Sequence, residues 1–130
     1  MAVNRYLLDS DVLIEHLRGR EQSTAFIAEL ASNGELFVST ITIAELFTEV
    51  YDDRDEEAVD ALIRLSRVVA VNEAIARRGG VIRAHYRQSH GTRLPDALIA
   101  ATAEVIDATL VSFNRRHFPM ISNLLVPYER

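Results

Sequence analysis

An α/β fold with a central, mostly parallel sheet of four or five strands flanked by helices is the expectation from this sequence. Three features carry it. Short apolar runs alternate with helix-length segments along the chain, the pattern of a sheet covered on both faces. The first run, Tyr6-Leu7-Leu8, ends abruptly in Asp9-Ser10-Asp11, and Val12-Leu13-Ile14 follows at once, as in a buried strand turning into a helix. At 130 residues the chain can build one core but not two, so residues 1–130 are expected to form a single domain.

In order, Arg5–Leu8 reads as a strand and residues 11–17 as a helix stopped by Arg18-Gly19-Arg20. Residues 23–31 carry Phe26, Ile27 and Leu30 at helical spacing, and Asn33-Gly34 closes that helix. Residues 36–39 form a short strand. Thr42 is the expected cap of a helix through Ile43, Leu46, Phe47 and Val50 that ends near Asp52-Asp53. Asp55-Glu56-Glu57 puts negative charge on the first turn of the next helix, where the macrodipole favours it. That helix carries Val59, Leu62, Ile63 and Leu65, the last three able to line either the core or an interface. Residues 68–71 are the third strand. Asn72 caps a long helix through Tyr86, weakened at its middle by Gly79-Gly80. Residues 89–93 read as a polar loop, and Pro95 opens a further helix that continues to about Ile106. Residues 109–113 are the fourth strand, 115–118 a turn, and 124–126 a candidate edge strand.

Composition narrows the function. The absence of cysteine excludes disulfides and Cys-ligated zinc. No apolar run approaches the roughly 20 residues of a membrane span, and Arg5 and Asp9 interrupt what would be the core of a signal peptide. A cytoplasmic protein is expected. A net charge of −5 gives no general attraction to nucleic acid, so phosphate recognition requires a local patch. All 14 basic residues are arginine, which suits bidentate phosphate recognition but equally reflects a GC-rich coding sequence.

The chemistry gathers on an acidic constellation. Asp9 ends the first strand, where open α/β sheets place their ligands. Glu45 is a lone acid among apolar neighbours in Thr42-Ile43-Ala44-Glu45-Leu46, early in its helix. Asp96 starts a helix, Ala97-Leu98-Ile99-Ala100-Ala101, that is apolar on nearly all sides and therefore buried. Asn114 follows the fourth strand. Carboxylates converging with an amide, without His or Cys, suit Mg²⁺, with Mn²⁺ as a substitute. Such an ion can activate water against a phosphodiester. Asp11 reads as a hydrogen-bond organiser, Ser112 as a partner for Asp9 across neighbouring strands, and Arg115 and Arg116 with His117 as a candidate phosphate patch beside Asn114. The four histidines, His16, His85, His90 and His117, form no zinc pattern and read as surface or packing residues.

These residues carry a family resemblance. Leu7-Leu8-Asp9-Ser10-Asp11-Val12-Leu13-Ile14 with His16-Leu17-Arg18-Gly19 resembles the opening of PIN-domain ribonucleases, specifically VapC-type toxins. Thr42-Ile43-Ala44-Glu45-Leu46, Leu94-Pro95-Asp96-Ala97-Leu98-Ile99-Ala100-Ala101 and Leu110-Val111-Ser112-Phe113-Asn114-Arg115-Arg116-His117-Phe118 resemble the second, third and fourth motifs, in order. The resemblance implies a PIN-like three-layer fold and a metal-dependent endoribonuclease. It implies the toxin of a type II toxin–antitoxin pair, usually a homodimer, neutralised by a small VapB-type antitoxin. By position, Asp9 and Asp96 bind the catalytic ion, and Glu45 binds it directly or through water. Asn114 stands where many members have Asp, a departure that bears on a second ion rather than the first.

Two other readings meet the same residues. Asp9-Ser10-Asp11 mimics the opening of haloacid-dehalogenase-type phosphatases, in which Asp9 would be a nucleophile. That chemistry needs a lysine, and the chain has none. The other reading is a non-catalytic PIN-like module binding RNA or protein.

Overall fold

The computed structural model describes residues 3–130. Four strands, β1 (Asn4–Leu8), β2 (Gly34–Ser39), β3 (Arg67–Val69) and β4 (Thr109–Val111), form one parallel sheet in the order β3-β2-β1-β4. Parallel neighbours require crossovers, and helices supply them: α1 (Ser10–Leu17), α2 (Glu21–Asn33), α3 (Thr40–Phe47), α4 (Asp53–Arg64), α5 (Glu73–His90) and α6 (Leu94–Val105). The chain winds from β1 out through β2 to β3 and then crosses back to lay β4 on the other side of β1. The carboxyl ends of β1 and β4 thus flank the point where strand order reverses, which in open α/β sheets is a ligand crevice.

Strand pleating splits the core in two. Leu8, Val38 and Val111 face one side of the sheet, where they pack with Val12, Leu46 and Val59 of α1, α3 and α4. Leu7 and Leu110 face the other, against Ile75 and Ile82 of α5 and Ile99 of α6. Alternate residues on opposite faces are the period-2 rule at work, and the near-continuous apolar runs follow because both faces are covered. Leu62 joins the core, whereas Leu65 is 66% exposed.

Several local expectations change. Ser39, not Thr42, caps α3: its hydroxyl accepts from the Ile41 N–H at 3.0 Å. The helix starts three residues earlier than the sequence reading, and Thr42 lies fully buried within it. The expected loop at 89–93 is shortened because α5 continues to His90, and β4 ends at Val111 rather than Phe113. The edge strand reduces to one parallel bridge, Leu125 to Val111. Asn72 does cap α5, accepting from the Ile75 N–H at 2.9 Å.

Gly34 and Gly79 are explained by close approach rather than by unusual dihedrals. Gly34 pairs with Asn4 at the start of β2, and a side chain there would collide with the Asn4 carbonyl. Gly79 is buried on α5, where a Cβ would lie 2.6 Å from Leu98 Cδ2 and 3.3 Å from Leu98 Cα on α6. Gly80 faces open space. Opposite outcomes are therefore expected from the same change at adjacent positions. Gly80→Ala should raise stability by about 0.5–1 kcal/mol through helix propensity. At Gly79, overpacking of about 1–3 kcal/mol outweighs that gain, so Gly79→Ala should lower stability by roughly 1 kcal/mol. Denaturant unfolding of both variants measures this, and equal shifts would contradict the close α5–α6 packing.

Candidate active site

The site begins with the turn out of β1. Asp9 adopts extended dihedrals and caps α1, its Oδ1 accepting from the Ser10 N–H at 2.9 Å. Its other oxygen, Oδ2, accepts from the Ser112 hydroxyl at 2.8 Å, a bond reaching from the end of β1 to the residue just past β4. Asp9 is only 6% exposed. Asp11 reaches the same place from the first turn of α1, with Oδ2 accepting from the Phe113 N–H at 2.9 Å and lying 3.2 Å from the Ser112 hydroxyl. The Asn114 N–H in turn donates to Ser112 Oγ at 3.1 Å. One hydroxyl is thereby shared between two carboxylates and held by a main-chain donor.

Electrostatics links these residues to Glu45 on α3 and Asp96 on α6. Burial, then the charge of Asp11, and to a smaller degree that of Glu45, push the Asp9 carboxyl up to about 7, against the opposing hydrogen bonds from Ser112 and Ser10. Burial raises Asp11 as well, with the Phe113 and Val12 N–H bonds resisting. Glu45 is raised by burial and by Asp96 and Asp11, and eased by Ser10 and Arg93. Burial raises Asp96 too, while His117 and Arg93 lower it. Glu45 thus feels Asp11 and Asp96 from two sides, and Asp9 feels Glu45. The carboxylates form one repelling group at the carboxyl end of the sheet, the condition that opposite charge would relieve.

Sequence reasoning did not place two further side chains against the acids. His117, read as a surface or packing residue beside Arg115 and Arg116, lies in the 3-10 turn Arg115–His117 with Nδ1 3.6 Å from Asp96 Oδ2. Arg93, assigned to a polar loop, is the residue before α6 and influences both Glu45 and Asp96. Position was the available signal: Arg93 stands three residues before Asp96, and His117 three after Asn114. Beside Asp96 opens a cleft of about 510 Å³, whose lining includes Arg93, Asn114, Arg115, Arg116 and His117. Asn114, Arg115 and Arg116 are therefore on the cleft wall and not within the hydrogen-bonded acidic knot, to which Asn114 contributes its main chain.

The donor chemistry fits a hard divalent ion, since every candidate ligand is oxygen and the carboxylates' charged forms need a counterion. Among the described residues no three His, Cys, Asp or Glu side chains are gathered tightly enough to hold an ion by themselves. Water would have to complete the coordination, which is the habit of Mg²⁺.

The chain as a whole is similar to known proteins. The family model described as PIN domain matches residues 6–123. The chain is 40% identical to ribonuclease VapC19 of Mycobacterium tuberculosis over 124 residues, covering 94% of this chain and 98% of that protein. It is 41% identical to ribonuclease VapC10 of the same organism over 123 residues, covering 94% and 92%. Among solved structures, a chain of a toxin–antitoxin complex from Klebsiella pneumoniae superposes with a TM-score of 0.80 at 26% identity, over 96% of this chain and 99% of that one.

The carboxylate group sets a pH dependence of stability. Asp9 binds its proton more tightly when folded, near 7, than when unfolded, near an ordinary carboxylate value of about 4. Between those values the folded state holds more protons, so its stability falls as pH rises. Asp11, Glu45 and Asp96 shift in the same direction. In metal-free buffer with chelator, Asp9→Asn should therefore gain stability relative to wild type progressively from about pH 4 to about pH 7. Thermal unfolding across that range tests it, and parallel curves for the two proteins would refute the raised carboxyl.

Proposed function

The chain belongs to the PIN-domain family and within it to the VapC type, and from that premise we propose that it is a metal-dependent endoribonuclease, the toxin of a toxin–antitoxin pair. The observation that carries the reading is the group of Asp9, Asp11, Glu45 and Asp96, each raised first by burial, with Asp9 and Glu45 raised further by their carboxylate neighbours. A fold gains nothing from such repulsion, and a divalent ion removes it. Asp9 and Asp96 would hold Mg²⁺, or Mn²⁺ in its place, with Glu45 joining directly or through water. When bound, such an ion supplies Lewis-acid activation of water and charge stabilisation at a phosphate.

The protein's own groups divide the remaining work. Ser112 and Asp11 fix the rotamer of Asp9, a supporting layer of the kind that sets ligand orientation. Glu45, raised by burial, is suited to orient an attacking water and take its proton near neutral pH. Arg115 and Arg116, on the cleft beside Asp96, offer guanidinium groups to RNA phosphates. Asn114 lines the same cleft as a neutral amide, which favours a single ion over two. The VapC ribonucleases it resembles, and the toxin–antitoxin complex whose chain it superposes on, support neutralisation by a VapB-type antitoxin. No helix among the described residues is long and apolar enough to cross a membrane. We place the protein, as one domain and as a homodimer, in the cytoplasm.

Calorimetry with Mn²⁺ tests the core of this reading. Wild type should bind saturably and Asp96→Asn should not. Ser112→Ala should weaken affinity roughly 10- to 100-fold, the usual effect of losing a supporting contact. RNA cleavage should vanish in EDTA and in Asp9→Asn. A folded wild type that binds RNA but neither Mn²⁺ nor Mg²⁺ would instead establish a non-catalytic PIN-like module.

A further inference from the structure

The residues after the 3-10 turn return across the molecule and attach to the same two residues that anchor the acidic knot. Leu125 N–H donates to the Leu110 carbonyl at 2.9 Å, and the Leu125 carbonyl accepts from the Ser112 N–H at 3.1 Å. The backbone of Ser112, whose hydroxyl holds Asp9, is thus itself held by this segment. Farther along, Tyr128 stacks edge-on against Phe113, with ring centroids 5.0 Å apart. Its hydroxyl donates to Ser23 Oγ at 3.0 Å, and Ser23, fully buried, reaches the Val12 carbonyl of α1 at 3.4 Å. Arg130 then lays its guanidinium over the other aromatic partner, 4.3 Å from the Phe113 centroid, with Nη1 3.5 Å from Glu15.

Glu15 and Asp11 are four residues apart on α1 and so share a face. Phe113 is the residue whose N–H binds Asp11. Its ring is therefore clamped by Tyr128 and Arg130 while its main chain fixes a carboxylate. Phe113 itself lines the basic cleft, whereas neither Tyr128 nor Arg130 does.

We propose that residues 125–130 are a strap, with Tyr128 and Arg130 as positioning residues that hold Phe113 and Ser112 in register with Asp11 and Asp9. The strap acts through main-chain and aromatic contacts and touches no reacting group. Its consequence for catalysis rests on the ribonuclease reading above; its consequence for Phe113 does not.

Amide hydrogen exchange of the metal-free protein measures the strap directly. In Arg130→Ala the Phe113 and Asn114 amides should exchange roughly five- to tenfold faster, the effect of losing one exposed cation–π contact and one surface ion pair. The Leu7 and Leu8 amides of β1 should not change. Arg130→Lys, which keeps the charge, should recover most of the protection, and Tyr128→Phe should show a smaller, equally local loss. Mn²⁺ affinity measured by calorimetry should fall in the same order across the variants. Unchanged Phe113 exchange in Arg130→Ala overturns the proposal, as does equal acceleration throughout β1, which would mean general destabilisation. A wild type that binds no Mn²⁺ refutes the nuclease reading alone, and the exchange pattern still decides the strap.

Discussion

The Ser112 hydroxyl, shared between Asp9 at 2.8 Å and Asp11 at 3.2 Å, is the interaction on which the rest of the site depends. It exists only because the chain returns from β3 to place β4 beside β1, bringing together residues 103 apart in sequence. An Asp9 buried to this degree without that bond would face a large desolvation penalty with only the α1 cap to offset it. With it, each carboxylate oxygen of Asp9 has a donor, yet among the described residues the charge itself has no cationic partner within hydrogen-bonding distance. Hydrogen bonds alone do not cancel burial and the neighbouring charges of Asp11 and Glu45, and the Asp9 carboxyl remains high. The site is thus satisfied in geometry and unsatisfied in charge.

That imbalance is spatially ordered. Asp9 and Asp11 are locked by short-range donors, whereas Asp96 faces His117 and the charge of Arg93 on the cleft side. A protein of net charge −5 thus sets three arginines, Arg93, Arg115 and Arg116, on the cleft beside Asp96. Local position rather than net charge governs the potential that an anion would meet there. The exposed ion pairs elsewhere, such as Arg77 with Glu73, contribute little to either property.

The residues legible in the sequence were those that broke a pattern. Asp9 interrupts an apolar run, Glu45 sits alone among apolar neighbours, and Asp96 opens a helix buried on nearly every side. Each is conspicuous because burying a carboxylate is costly, and local sequence registers the anomaly. The strand–helix alternation was readable for the same reason: covered sheet faces demand continuous apolar runs. The cap of α3 was misplaced because Ser39, Thr40 and Thr42 offer the same hydroxyl chemistry, and only the dihedrals distinguish them. His117, Arg93, Tyr128 and Arg130 gave no such signal. They are polar residues in turns or irregular segments, where a solvated role is the default, and what they touch is fixed by topology. The Tyr128–Ser23 bond spans 105 residues and leaves no periodic trace.

Asn114 marks where sequence comparison and physical accounting part. Read as a motif position, an amide in place of an acid is a loss. In the structure its contribution to the knot is the main-chain N–H to Ser112 Oγ, which any non-proline residue would supply. The support of Asp9 therefore survives the substitution intact. What changes is the side chain, which lines the cleft beside Arg93, Arg115 and His117. A carboxylate there would add a further like charge near Asp96, itself already raised by burial, and would offset the arginines that make the cleft attractive to anions. A neutral amide keeps the acidic knot and the basic wall separate. Compared with a carboxylate, the amide leaves the cleft less acidic without disturbing the hydrogen bonds that hold Asp9.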